Sequence, residues 1–198
     1  YIFIYYYRSI IYMKIFCGDW YADSAIMYKI LDDIDFYRSG RTGAIMDGIP
    51  TNGRSMMWGV SWRMPCKKYT QLEGTKLHYT KCRENNPHLA EVFKEYIDLY
   101  FKGFPYTQVQ MNKNFPCPPH IDGTNTGESI LVGYGEYTGG EINIEKEDGI
   151  VKKDIRKEKG IIFNGALYRH YVSPFTLKEG SNRYSLVFFK SKYHKKNC

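Results

Sequence analysis

From Gly103 onward, the apolar residues of this chain recur with a period of two, the spacing that places successive side chains on opposite faces of a β-strand. Glycine, proline and charged residues divide this half of the chain into short runs, as turns do between strands. Many short strands of this kind predict a β-sandwich or jelly roll. The predicted strands cover residues 107–112, 129–134, 141–145, 150–155, 160–163, 170–173 and 183–190.

The first half of the chain has a mixed pattern. Residues 22–33 carry one apolar stripe with helical spacing, and a second stripe follows Asn86 and Pro87, a capping residue and a proline that the first turn of a helix tolerates. Trp58, Val60 and Trp62 alternate as in a strand. We therefore expect a mainly β (α+β) fold in which N-terminal helices pack on one side of the strands.

The length and the aromatic content of the chain support this expectation. A chain of 198 residues with 43% apolar content is long enough to bury one core, so we predict a single domain over residues 1–198. The 19 tyrosines, 11 phenylalanines and 3 tryptophans favour a β-rich core over a helical bundle.

Two histidines and an aspartate form a candidate metal site. His120 and Asp122 are two residues apart, so they project to the same side of an extended strand and can hold one ion together. A third ligand must come from another strand, and His170 offers it. Two imidazoles and one carboxylate are the ligand set that holds non-haem Fe(II) on one face and leaves the opposite positions open.

An arginine and a serine follow on the last predicted strand. Arg183 and Ser185 share one face of that strand with Val187. A buried guanidinium needs an anionic partner, and its planar fork of donors suits a terminal carboxylate. A structural salt bridge is the alternative explanation of Arg183 taken alone.

The ordered pattern of HxD, a distant histidine and RxS resembles the catalytic core of the Fe(II)/2-oxoglutarate-dependent dioxygenases, and the resemblance covers residues 112–189. It implies a double-stranded β-helix (jelly roll) with supporting helices and strands in residues 1–105 and a catalytic core in residues 106–190. It also implies that Fe(II) is held by His120, Asp122 and His170, that 2-oxoglutarate is bound by Arg183 with help from Ser185 and Asn112, and that O2 is the cosubstrate. Ascorbate is then the expected reductant, and the reaction is the hydroxylation of a C–H bond.

The run from His120 to Asn125, together with Tyr137-Thr138-Gly139-Gly140-Glu141-Ile142, is most similar to the TET/JBP branch, which oxidises the methyl group of 5-methylcytosine or thymine in DNA. The resemblance places Asn125 beside the target base, although an asparagine here also suits local turn bonding. Prolyl hydroxylases share the glycine turn but normally carry lysine in place of Arg183. AlkB-type demethylases keep the arginine and have a different glycine turn.

Three functional classes follow. The first is a nucleic-acid base hydroxylase that acts on duplex DNA with a flipped base, in keeping with a net charge of +7. The chain contains cationic and aromatic side chains that could clamp the DNA, and ordinary packing is the alternative explanation for them. The second class is a protein side-chain hydroxylase with a peptide substrate, and the third is a small-molecule oxygenase or a binding module. The clamp candidates are Trp58, Trp62, Arg63, Lys67, Lys68 and Tyr69.

The cysteines and the first residues bear on the cellular location. Five cysteines without a CxxC pair argue against a disulfide framework and favour a reducing compartment. Residues 1–12 are apolar but too short to span a bilayer and too rich in tyrosine for a secretory signal, so we expect no membrane partner and an intracellular location, cytoplasmic or nuclear. A zinc site is a weak alternative use of His78, Cys82, Cys66 and His88.

Overall fold

Antiparallel strands form most of the structure, a computed structural model that describes residues 14–37, 53–63 and 76–192. The described helices are α1 Trp20–Asp32, α2 Lys81–Asn85 and α3 Leu89–Tyr100. The strands are β1 Arg54–Arg63, β2 Lys76–Tyr79, β3 Gln108–Lys113, β4 Asn125–Tyr134, β5 Tyr137–Gly139, β6 Ile142–Lys146, β7 Gly149–Lys153, β8 Ile161–Phe163, β9 His170–Val172, β10 Phe175–Leu177 and β11 Tyr184–Ser191.

Three sheets make up the described part of the chain. The largest has six strands in the order β2-β1-β3-β11-β4-β8, and β7-β6-β9 and β10-β5 form two smaller sheets. A small core lies between the large sheet and β7-β6-β9, and this two-layered arrangement confirms the predicted jelly roll. Its buried members are Leu131, Ile142, Ile144, Ile155, Ile161, Phe163 and Val172.

The two faces of β11 separate two environments. Tyr184, Leu186 and Phe188 are fully buried in the main core together with α1 and α3. Ser185 and Val187 alternate with them and point to the other side, where Val187 packs against the small core between the sheets. This alternation confirms that the helices cover one face of the large sheet and leave the other face to line the interior of the jelly roll.

The helix starts differ from the prediction at one point. Helix α1 begins at Trp20, close to the predicted 22–33, because the carboxylate of Asp19 accepts hydrogen bonds from the backbone N–H groups of Tyr21 and Ala22. Asn86 does not cap α3, which was the expectation. Its side-chain amide donates to the carbonyl oxygen of Cys82 and closes the short helix α2, which the sequence did not predict.

Several strand limits also shift. Strand β4 begins at Asn125, four residues before the predicted start, and β7 ends at Lys153 rather than at Ile155. Ile155 is nevertheless buried, and its carbonyl oxygen accepts a hydrogen bond from the N–H of Gly133. The short strands β2, β5 and β10 were not predicted from the sequence.

Trp58 and Cys82, which precede the jelly roll, were candidates for a DNA clamp and for a zinc site, and both are buried in the structure. Trp58 is 4% exposed, packs edge-to-face on Phe93 and donates from its indole nitrogen to the carbonyl of Asn86, so it is a core residue and not part of a clamp. Cys82 is fully buried beside the sulfur of Met111, and no group of potential metal ligands among the described residues includes it. Residues 64–75, which contain Cys66, Lys67, Lys68 and Tyr69, lie outside the described residues.

None of the described helices is both long and apolar enough to cross a lipid bilayer.

Phe188 connects the large sheet to the helices. Its ring contacts the rings of Phe93, Tyr96 and Tyr106. We expect Phe188→Ala to lower the free energy of unfolding by about 3–5 kcal/mol, because truncation leaves a cavity in a close-packed core. Urea unfolding measures the change. In the control variant Ile162→Ala the side chain is already 48% exposed, so a change below about 0.5 kcal/mol is expected. Equal losses in the two variants would contradict this view of the core.

Candidate metal centre

His120 and His170 are held opposite each other by the backbone. The N–H of His120 donates to the carbonyl of His170 at 3.0 Å, and the N–H of His170 donates to the carbonyl of His120 at 2.9 Å. Residues that exchange both bonds in an antiparallel pair have their side chains on the same side. The imidazole rings accordingly lie with their centroids 4.3 Å apart.

Asp122 reaches the same place through a second backbone anchor. Its N–H donates to the carbonyl of Gly165 at 2.9 Å, so the HxD segment is fixed at two points although it is not a regular strand. Gly165 permits this close approach, since a Cβ there would lie 2.7 Å from Oδ2 of Asp122 and 3.3 Å from Cε1 of His170. Any side chain at Gly165 would therefore displace the carboxylate.

The tautomers of both histidines suit metal binding. Nδ1 of His120 is 2.8 Å from the carbonyl oxygen of Pro118, and Nδ1 of His170 is 3.0 Å from that of Tyr168. A carbonyl oxygen only accepts hydrogen bonds, so each Nδ1 carries a proton and each Nε2 is left to face Asp122.

The distances among the three side chains fit a divalent ion. The Nε2 atoms of His120 and His170 lie 3.4 Å and 3.7 Å from the two oxygens of Asp122, and the three ligand atoms lie within 4.8 Å of one another. Ligands bonded at about 2.1 Å and at right angles are about 3 Å apart, so small movements bring all three into range. Among the described residues, this is the one group of three or more potential ligands. The donor set fits Fe(II).

The two histidines titrate differently. The hydrogen bond to Asp122, followed by that to Cys117, raises the pKa of His120 to about 10. Burial, the largest effect, lowers the pKa of His170 despite its own contact with Asp122. The difference follows from the side-chain hydrogen bonds to Asp122 and Cys117, which His120 makes and His170 lacks.

Asn125 supports the carboxylate. Its side-chain amide donates to Oδ2 of Asp122 at 2.9 Å and reaches the hydroxyl of Ser129 at 3.4 Å. Asn125 is 9% exposed. These bonds orient a candidate metal ligand, a role that the sequence did not suggest. The predicted contact of Asn125 with a target base stays a prediction.

Arg183 is a buried cation without a carboxylate partner. The residue is 1% exposed, and none of the ion pairs among the described residues includes it. One terminal nitrogen donates to the carbonyl of Gly140 at 3.2 Å, while Nε has no hydrogen-bond partner. Burial lowers the pKa of the guanidinium, which shows that its charge is poorly solvated. A bound anion would relieve this cost, which fits the carboxylate of 2-oxoglutarate.

A row of polar side chains continues from Arg183 into the large sheet. Ser55, Asn112 and Ser185 face one another across β1, β3 and β11. The hydroxyl of Ser55 donates to Oδ1 of Asn112 at 2.8 Å, and Nδ2 of Asn112 donates to Oγ of Ser185 at 3.2 Å. The structure thus brings Asn112 and Ser185 together, and Arg183 immediately precedes the strand that carries Ser185.

Comparison with known proteins gives structural matches alone: no family model and no curated protein matches the sequence. A structure of NgTET1 in complex with 5mC DNA is similar to this chain, with a TM-score of 0.50 and 16% sequence identity. The match covers 85% of this chain and 67% of the NgTET1 chain. This chain has the fold of the Fe(II)/2-oxoglutarate-dependent oxygenases.

Two further structures match with lower TM-scores. A prolyl-4-hydroxylase from Pseudomonas putida has a TM-score of 0.44 and 13% identity, over 90% of each chain. A 2OG-Fe(II) oxygenase family member from Burkholderia pseudomallei has a TM-score of 0.45 and 15% identity, over 85% of this chain and 77% of its own.

Several residues of the site were not foreseen. The spacing of the sequence motifs did not point to Gly165 or Cys117. In the structure, the sulfur of Cys117 lies 3.5 Å from Nδ1 of His120. The sequence did point to Gly140 in part, because the Gly139-Gly140 turn resembles that of the TET/JBP branch. With φ at 73°, Gly140 adopts a backbone conformation that favours glycine, and a Cβ there would lie 3.0 Å from Nε of Arg183.

The raised pKa of His120 predicts a proton release on metal binding. Below pH 10 the metal-free imidazole holds a second proton, which a metal must displace. The apparent affinity for Co(II) or Zn(II) should therefore rise by up to about tenfold per pH unit between pH 6 and 9. Metal titrations at fixed ionic strength, with folding checked at each pH, measure the slope. An affinity independent of pH over this range would contradict the assignment.

Removal of the Asn125 amide should weaken the metal centre without unfolding the protein. We expect Asn125→Ala to lower the affinity for Co(II) by about 10- to 100-fold, because the Asp122 carboxylate loses the hydrogen bond that orients it. The matched control is Asn86→Ala, which removes an amide that closes α2 and should leave metal affinity unchanged. Equal Co(II) affinity in wild type and Asn125→Ala would remove Asn125 from the centre.

Proposed function

We propose that this protein is an Fe(II)- and 2-oxoglutarate-dependent dioxygenase that hydroxylates the methyl group of a pyrimidine base in DNA, 5-methylcytosine or thymine. The observation that carries the oxygenase part is the convergence of His120, Asp122 and His170 in one fold with a buried guanidinium that lacks a counter-ion. The first group accounts for the metal and the second for the dicarboxylate.

Each part of the site has a defined task in this proposal. His120, Asp122 and His170 would hold Fe(II), which with 2-oxoglutarate and O2 supplies the oxidation of a C–H bond. Arg183 pairs with the distal carboxylate of 2-oxoglutarate, and Ser185 and Asn112 extend the polar surface beside it. Ascorbate serves as the reductant that keeps the iron in its ferrous form.

Features around the metal centre support a nucleic-acid substrate. Ile121, between two ligands, is 52% exposed, and Leu167, in the turn that follows Gly165, is 62% exposed. Exposed apolar side chains of this kind can contact the face of an extruded base. Arg169, which lies 3.9 Å from the carboxylate of Glu145, directly precedes His170, and exposed Lys192 donates to the carbonyl of Gly123 beside Asp122. These two cations are candidates for phosphate binding. The likeness to NgTET1 with 5mC DNA points the same way.

A protein side-chain hydroxylase is the second candidate. Trp58 is a core residue, so the aromatic part of a DNA clamp would have to come from elsewhere in the chain. Against this candidate stands Arg183, because prolyl hydroxylases normally carry lysine at that position. We also propose that the chain forms a single domain and that the protein is located inside the cell.

The decisive test is nucleoside mass spectrometry. Duplex DNA with and without 5-methylcytosine is incubated with the protein, Fe(II), 2-oxoglutarate, O2 and ascorbate, and succinate is measured in parallel. We expect oxidised pyrimidine nucleosides in amounts that match succinate. His170→Ala should reduce both by more than about 100-fold, because a centre with two ligands binds metal weakly. Succinate without any change in nucleosides would move the substrate to a peptide or a small molecule.

Binding to DNA gives an independent check. The affinity for duplex DNA should fall steeply as salt rises, because cations that bind phosphates release condensed counterions. Arg169→Ala should reduce the slope of log affinity against log salt by about 1. Lys94 provides the control because it lies on α3, on the helix side of the large sheet, so Lys94→Ala should not change the slope. A peptide enzyme would show little dependence on salt.

A further inference from the structure

The face of the sheet β7-β6-β9 that carries the two histidines extends beyond them. His170 pairs with His120 on one side and with Ile144 of β6 on the other, so these three residues form one row. Paired residues in antiparallel strands point to the same side, and residues two apart along a strand return to that side. The next row of this face, two residues further along each segment, therefore holds Asp122, Tyr168 and Lys146.

Two contacts show that this second row continues from β6 to the turn before His170. The N–H of Glu145 donates to the carbonyl of Arg169 at 2.9 Å, so the pairing of the two segments runs on past His170. The Nζ atom of Lys146 lies 5.7 Å from the centre of the Tyr168 ring, which is close enough for a cation–π contact. The carbonyl oxygen of Tyr168 in turn faces Nδ1 of His170. The lysine is therefore tied to the residue that orients a candidate metal ligand.

Lys146 brings a positive charge to this face. It is exposed, and none of the ion pairs among the described residues includes it, although Glu147 and Asp148 follow in the turn of the hairpin. Its neighbour Glu145 alternates to the opposite face, so it does not neutralise the ammonium from this side. Neighbouring strands are about 4.8 Å apart, so the Cα of Lys146, two segments away, lies about 10 Å from that of Asp122.

We propose that Lys146 binds a phosphate that flanks the target nucleotide of the DNA, while the base of that nucleotide reaches the metal centre. A nucleotide carries its base and its phosphate at opposite ends, which matches a candidate metal ligand and a cation that lie on one face with an aromatic ring between them. Lysine meets phosphate as a point charge, so it can fix the position of the backbone without reading the sequence.

This inference rests on the proposed function and deepens it. To the exposed cations named above it adds a residue of β6 whose side chain shares the face of the candidate ligands. The spacing of the sequence motifs did not identify this residue.

The test combines a substitution in the protein with an uncharged phosphate in the DNA. Each duplex contains one 5-methylcytosine, and either the 5′ or the 3′ phosphate of that nucleotide is replaced by a neutral methylphosphonate. Dissociation constants are measured by fluorescence anisotropy at fixed salt on Zn(II)-loaded protein, in which no turnover occurs. We expect one of the two replacements to weaken binding to wild type about 5- to 10-fold, as for the loss of one charge-assisted contact. In Lys146→Ala the same replacement should have no effect, because the partner charge is already gone.

Lys152→Ala is the matched control. Lys152 belongs to the same hairpin, but it pairs with Asn143, which alternates with Ile142 and Ile144, so it lies on the opposite face. The Lys152→Ala protein should remain as sensitive to the neutral phosphate as wild type. Lys146→Arg, which keeps the positive charge, should also retain the sensitivity.

Three results would overturn the role of Lys146. If wild type oxidises methylated DNA but binds the modified duplexes as tightly as the unmodified one, or if Lys146→Ala stays as sensitive as wild type, the role is refuted while the proposed function stands. If an acidic peptide competes for wild type more strongly than methylated duplex does, the partner of Lys146 is a carboxylate. If wild type neither binds nor oxidises methylated DNA, both proposals fall.

Discussion

The pair of backbone hydrogen bonds between His120 and His170 is the constraint on which the metal centre depends. Side chains can rotate, but two reciprocal bonds fix the separation and direction of both Cα–Cβ vectors. With carbonyl oxygens fixing both Nδ1 protons, the ligand atoms are selected before any ion arrives. The third ligand follows the same logic, because the bond from Asp122 to Gly165 ties the HxD segment to the loop that leads to His170. Main-chain geometry thus prepares the centre, and side chains complete it.

Around Arg183, the interior holds an unpaired charge rather than a preformed set of ligands. Arg183 is kept charged in a buried setting without a carboxylate, and the neighbouring polar groups do not neutralise it. An interior of this kind costs stability, and an anion bound to the guanidinium would offset that cost. Gly140 allows the close approach of this guanidinium, since a Cβ there would lie 3.0 Å from Nε of Arg183.

The sequence predicted the elements that have a repeating residue pattern. It missed the residues whose roles depend on contact between distant segments. Alternation along β11 was visible because eight consecutive residues separate two environments. The candidate metal ligands were visible because HxD, a distant histidine and RxS follow one another in an order that is specific in combination. By contrast, Asn86 looked like the start of α3 because a capping residue suits either end of a turn, and only its bond to Cys82 shows which end it serves. Gly165 carries no local signature, since its importance comes from the atoms that it approaches, those of Asp122 and His170.

The segment between β3 and His120 contains Pro116, Pro118 and Pro119. Proline has no backbone donor, so these residues cannot form a ladder with a neighbouring strand. Cys117, between them, offers its carbonyl to Val172 and so ties the segment to β9. A rim of this composition is a poor template for the pairing of strands from another chain, so the end of the jelly roll that carries the candidate metal site is protected from edge-to-edge association.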